Sequence, residues 1–237
     1  MANHALLNNV DHQHLRVITR HGVEWGDNQM CTLAIPSEFR SLQADYPIFF
    51  HCSGETDKFM PMVMFGFEQG ENLYLSEQGW DASYIPLMIQ RGPFLIGFQQ
   101  RPGEQRSQVM SIDLDDPHIS TTEGEALFLP HGGNTPYTER MASVLQAIDQ
   151  GQAAVKAFTD ALVSQQLLEP FTLNVTLNNG AKLGLDGFHT IHEERLAELD
   201  GEVLIDFHRR GILQAIYMVL ASMSNIRRLI DKRNARL

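Results

Sequence analysis

The chain has 237 residues, 43% of them hydrophobic and 20% charged, and a formal net charge of −11. A chain of this length buries roughly 70–75% of its unfolded surface, so its core needs neither a disulfide nor a metal, and its composition is that of an ordinary globular protein. The acid excess favours solubility and sets aside nucleic-acid binding and docking on anionic lipid, because both partners carry the same charge sign.

Residues 1–10 show neither a basic region nor a sustained apolar run, so a reduced, cytoplasmic chain is expected. Residues 15–18 and 30–35 are short apolar runs rich in strand formers, and the segment 21–28 between them is turn-rich. Residues 36–43 predict a short helix with Phe39 and Leu42 on one side. Residues 46–50 predict a strand, with Pro47 marking its start or a sheet edge. Residues 62–67 and 73–75 predict a hairpin closed by the five residues between them. Residues 80–91 carry helical spacing, with Pro86 near the start of the regular part and Gly92-Pro93 as its stop. A buried strand at 94–98, a loop at 101–106, a strand at 108–113 and a loop at 114–125 follow.

The second half turns helical. Thr135-Pro136 starts a helix whose face is Met141, Val144, Leu145 and Ile148, and Gly151 is expected to close it. A second helix carries Val155, Phe158, Ala161 and Leu162 and ends before Pro170. Asn178-Asn179-Gly180 between residues 171–177 and 182–185 predicts a β-hairpin. Thr190 and Glu193 have capping-box spacing. A last, continuous amphipathic helix is expected from about residue 205 to 231, with Ile212, Ile216, Val219, Met223, Ile226 and Ile230 as its stripe and Leu213, Tyr217 and Leu220 widening it. Burying one such side chain contributes about 1.5–3 kcal/mol, against propensity differences below about 1 kcal/mol, so packing decides this helix. No stretch reaches the ~18 apolar residues of a membrane span. Residues 211–223 come nearest and are flanked by Arg209, Arg210 and Arg227. The expected architecture is α+β: one domain over residues 1–237 with a shared core, β-rich to about residue 113 and helix-rich from about 135.

Three blocks are similar to the SapC family. The first is Pro36-Ser-Glu-Phe-Arg40 with Tyr46-Pro-Ile-Phe49. The second is Gly79-Trp-Asp-Ala-Ser-Tyr-Ile-Pro86 with Gln90-Arg-Gly-Pro-Phe94. The third is Gly187-Phe-His-Thr-Ile-His-Glu-Glu-Arg-Leu196 with the helix from Gly211 to Ser222. The resemblance spans about residues 8–233, and the second block is the most specific. It implies a protein associated with surface-layer genes and encoded near halogenase-like proteins, cupin-like hydroxylases and TonB-dependent receptors. It brings no catalytic residues with it. The peptide-transport permease that shares the name does not fit a chain without a membrane span. His189 and His192 stand where the family pattern leads one to expect variable residues, so a histidine site there is not a family property.

Each chemical candidate has a plain structural alternative. Cys31 sits in an apolar run and reads as core. Cys52 beside His51 is a poor nucleophile–base pair, because neighbours on a strand face opposite ways. His189 and His192 are three apart with Thr190 as the expected helix cap, which disfavours a metal. Asp113, Asp115 and Asp116 read as a strand-ending turn, lacking the oxygen count and glycine of a calcium loop. His131-Gly-Gly-Asn134 could cradle an anion but reads as the loop before the helix at Pro136. Trp80, Tyr84 and Arg91 would share one helical face, and with Arg40 they form a candidate seat for a small anionic ligand or peptide. No cofactor is expected. The preferred reading is a non-catalytic binding or accessory protein that works with a partner enzyme or uptake system. An enzyme built from scattered residues such as His21, His51, His118 and His131, with a metal among its options, is the second reading. A structural homo-oligomer, at its smallest a homodimer, is the third.

Overall fold

The computed structural model describes residues 3–52, 58–99 and 107–237. The predicted loop at 101–106 lies outside these residues. Helices and strands are both abundant, and the fold is mixed α+β. In chain order the strands are β1 (His4–Leu6), β2 (Arg16–Val17), β3 (Cys31–Leu33), β4 (Ile48–Cys52), β5 (Phe59–Met64), β6 (Leu75–Ser76) and β7 (Gly79–Trp80). They continue with β8 (Phe94–Gln99), β9 (Ser107–Asp113), β10 (Ile119–Ser120), β11 (Glu125–Ala126), β12 (Leu168–Thr176) and β13 (Lys182–Ile191). The helices are α1 (Phe39–Leu42), α2 (Leu87–Gln90), α3 (Pro136–Ser164), α4 (Glu193–Ala197), α5 (Gly201–Arg209), α6 (Ile212–Ser222) and α7 (Asn225–Asn234).

The chain forms two compact units, each built from two segments. The first takes Met1–Asp27 and Leu87–Gln150, the second Asn28–Pro86 and Gly151–Leu237. The β-rich and helix-rich stretches of the sequence therefore do not map onto the units, since each unit draws on both.

In the first unit, antiparallel β1-β9-β8 and β10-β2-β11 make two three-stranded sheets. The core holds Val17, Phe94, Ile112, Leu127, Tyr137, Met141 and Leu145, so the apolar face read along α3 is the one that packs. Thr135 caps α3, its Oγ accepting from the Thr138 N–H at 3.3 Å and donating to the Ala126 carbonyl at 2.7 Å. The strand at β8 differs from expectation: it is an edge strand, and Phe98 is 52% exposed.

In the second unit, five antiparallel strands run β12-β13-β4-β5-β3. The Asn179-Gly180 turn joins β12 to β13 as expected, and the two strands are longer than predicted because Pro170 stands across from His189. Phe50 meets Phe158 of α3, which also meets Phe39. Phe49 points the other way, to Phe171 and Phe188. The hairpin predicted from 62–67 and 73–75 is replaced. β5 pairs with β3 and β4, while β6 pairs with β7.

Two glycines reverse the expected helix boundaries. Gly151 does not close a helix: α3 runs through it for 29 residues. A Cβ at this position would lie 2.7 Å from Ile35 Cδ1, so glycine here permits close packing. Gly211 breaks the predicted terminal helix. It takes φ 72°, caps α6 and ends α5 through its N–H to the His208 carbonyl. A second break follows Ser222, and α7 begins at Asn225. Ile212, Ile216 and Val219 of the stripe are buried, but Tyr217 is 56% exposed and does not belong to it.

Candidate functional site

The residues read from the sequence as ligand-binding do not share a helical face. Trp80 belongs to β7, the chain turns at Ser83, and α2 starts only at Leu87. The turn is held by Asp45, which accepts from both the Ser83 N–H at 2.8 Å and the Ser83 hydroxyl. Within the second unit Trp80 and Tyr84 are joined through Tyr46. The Trp80 indole donates to the Tyr46 oxygen at 2.6 Å, and the Tyr46 hydroxyl donates to the Tyr84 carbonyl at 2.5 Å. Trp80 stands edge-on to Phe65 with ring centres 5.1 Å apart. The Tyr84 hydroxyl donates to Glu38 at 3.0 Å. Burial raises the Tyr46 pKa above the ordinary phenol range, and burial together with the Glu38 charge raises that of Tyr84. Both phenols are therefore neutral donors. Arg40 is exposed on α1. Arg91 lies in the first unit and donates to the Gly92 and Phe94 carbonyls at 3.3 and 2.9 Å. Burial lowers its pKa, and the charges of Asp116 and Asp113 act against that.

The histidines are also differently placed. Thr190 lies in β13, so the expected capping box does not form, and His192 is the cap of α4, accepting from the Arg195 N–H at 3.5 Å. His189 is on β13 with its ring edge-on to Phe59 at 4.9 Å. Burial, then the nearby His51, lowers its pKa. In the first unit His21 contacts Asp27 at 3.1 Å, and His118 contacts Asp116 at 2.8 Å beside the Trp25 ring. Asp116 closes the turn after β9, as its sequence suggested. Among the described residues, no group of three or more His, Cys, Asp or Glu side chains is placed to hold a metal ion.

A cleft of about 490 Å³ in the first unit gathers residues that the sequence reading did not single out. Its lining includes Gln13, His14, Leu15 and Arg16 at the start of β2, Thr121 after β10, and Ala126, Phe128, Leu129 and Pro130 from β11 onward. β2 lies between β10 and β11, so it brings these distant segments together. The turn between β10 and β11 is tied by Ser120, whose Oγ accepts from the Thr122 and Glu123 N–H groups at 3.1 Å each. Gly124 has φ +92°, and a Cβ there would lie 2.2 Å from the Val17 carbonyl oxygen. Only glycine fits so close to β2. The approach lets the Gly124 carbonyl accept from Arg16 Nη1 at 2.8 Å, which anchors the guanidinium. On the other side the His131-Gly-Gly-Asn134 loop folds back, with the Leu129 N–H on the Gly133 carbonyl at 2.9 Å. Leu129 is 45% exposed. An apolar wall with a few fixed polar groups, in a volume within the ~300–1,000 Å³ of ligand sites, is suited to holding a small molecule. A second recess of about 210 Å³ lies in the same unit, between Ile96 and Met110 of the sheet and Leu145 of α3.

No curated protein and no solved structure matches the chain. No helix among the described residues is long and apolar enough to cross a membrane. The family model described as SapC matches residues 7–229, which is nearly the whole chain, and the protein belongs to the SapC family.

Proposed function

We propose that this SapC-family protein is a non-catalytic binding or accessory protein, that the cleft beside β2 is its ligand seat, and that it works with a partner enzyme or uptake system. The observation that carries this reading is the cleft itself: an apolar surface that includes Leu15, Phe128 and Leu129, with the anchored Arg16 at its side. Arg16 lines this cleft and so is the cation that a ligand there would meet, whereas Trp80 and Tyr84 make their hydrogen bonds inside the second unit.

Ala126→Phe tests the reading by filling the cleft. Ala126 is half-buried, lines the cleft and stands across from Arg16, so a ring added there is expected to take up cleft volume. Native mass spectrometry of protein purified from its host is expected to show a bound small molecule on the wild type. The variant should lose it while melting within a few degrees of the wild type. Equal occupancy in both would contradict the assignment.

A further inference from the structure

We infer that the cleft selects a small carboxylate with an apolar body, and that Arg16 receives the carboxylate. This rests on the reading of the cleft as the ligand seat and deepens it by naming the ligand's chemistry.

The side chains around the cleft have a one-sided charge. Among the described residues they supply a guanidinium from Arg16, an imidazole from His14, an amide from Gln13 and a hydroxyl from Thr121, but no carboxylate. In a protein with 29 acidic and 18 basic residues this is a local reversal. Two acids close in sequence to the Gly124 contact are otherwise engaged or directed. Glu123 is paired with Arg20 at 3.1 Å. Glu125 stands across from Val17, whereas Arg16 stands across from Ala126 and Ser120. Because side chains alternate along a strand, Glu125 faces away from the side that carries Arg16.

Arg16 is also prepared for a planar anion. One Nη of Arg16 donates to the Gly124 carbonyl, which restrains the guanidinium before a ligand arrives, and among the described residues its other N–H groups remain for a ligand. A guanidinium so fixed can meet a carboxylate with two parallel hydrogen bonds, which a lysine cannot do. The remaining wall is apolar and includes Leu15, Phe128, Leu129 and Pro130, so a bare inorganic anion would leave most of the cleft unused. A carboxylate with a hydrocarbon body satisfies both parts.

Octanoate and its neutral isostere octanamide separate the possibilities when titrated calorimetrically into the wild type, Arg16→Gln, Arg16→Lys and Ala126→Phe. Octanoate should bind the wild type about tenfold or more tightly than octanamide, the advantage of a charge-assisted over a neutral hydrogen bond. Arg16→Gln should abolish that preference, and Arg16→Lys should retain part of it. Ala126→Phe should weaken both ligands. Equal affinity for the two ligands, or a preference that survives Arg16→Gln, overturns the carboxylate assignment while leaving the cleft as a ligand seat. Octanoate binding untouched by Ala126→Phe, or no binding of either ligand to the wild type, overturns the seat as well. Melting temperatures of the Arg16 variants should match the wild type, and the Arg16→Lys result reads the preference if Arg16→Gln does not fold.

Discussion

Ile216→Asp should leave no soluble folded protein. Ile216 is 0% exposed at the middle of α6, on the stripe with Ile212 and Val219. The substitution removes a buried aliphatic side chain, which alone costs about 2–5 kcal/mol, and adds a carboxylate that has no partner at that site. A buried unpaired charge adds several kcal/mol more. The sum approaches the ~5–15 kcal/mol total stability of a typical domain. Ile216→Val should cost only about 0.5–1.5 kcal/mol and stay folded. Soluble yield and thermal unfolding followed by circular dichroism measure both. A soluble Ile216→Asp variant with an unchanged melting temperature would mean that this face of α6 is not core.

Asp45→Ala should cause the next largest loss, about 2–4 kcal/mol, because several groups depend on one carboxylate. Asp45 is 5% exposed and accepts from the Ser83 N–H and hydroxyl and from Arg228 at 2.7 Å. α7 carries the cation, and the rest of that helix is fastened in the same way. Lys232 meets Asp81 at 2.5 Å, and Arg233 meets Glu71 at 2.6 Å and Glu68 at 3.2 Å. Burial raises the Asp45 pKa, but the Ser83 hydrogen bonds and the Arg228 charge outweigh it, and the net shift is downward. Asp116 is also shifted down, burial being outweighed by its bonds to His118 and the charge of Arg91. A carboxyl whose folded pKa lies below its unfolded value contributes stability that is complete above the unfolded pKa, about 3.9. That contribution fades as pH falls through the folded pKa. Stability of the wild type should therefore drop with acid below about pH 4. Asp45→Asn should be less stable at neutral pH and should show a shallower acid slope. Urea midpoints measured from pH 7 to pH 2 decide this. Parallel curves for wild type and Asp45→Asn would show that Asp45 does not carry the acid sensitivity.

Local signals in the sequence were reliable where one short segment decides the outcome. Pro136 starts α3, Asn179-Gly180 turns β12 into β13, and Phe39 and Leu42 are buried together on α1. Glycine was ambiguous because it serves two purposes that only tertiary contacts distinguish. Gly151 gives Ile35 room inside a helix, while Gly211 supplies the positive φ that ends one. The helical spacing at Trp80 and Tyr84 was misleading because the turn there depends on Asp45, nearly forty residues earlier. The cleft was not legible for the same reason. Arg16 meets the Gly124 carbonyl across 108 residues, and neither residue belongs to a recognisable motif. The closest sequence signals were the Ser120–Gly124 turn chemistry, which holds the lining residue Thr121, and the His131-Gly-Gly-Asn134 loop, which follows the lining residue Pro130, and neither names a ligand.

The most direct test of the ligand seat is a two-dimensional ¹⁵N–¹H NMR titration of the wild-type protein with octanoate. Saturable shifts are expected to centre on residues 13–16, 121 and 126–130, with the Arg16 side-chain resonance among the most perturbed. Shifts centred instead on Trp80 and Tyr84, or no saturable shift along β2, would contradict it.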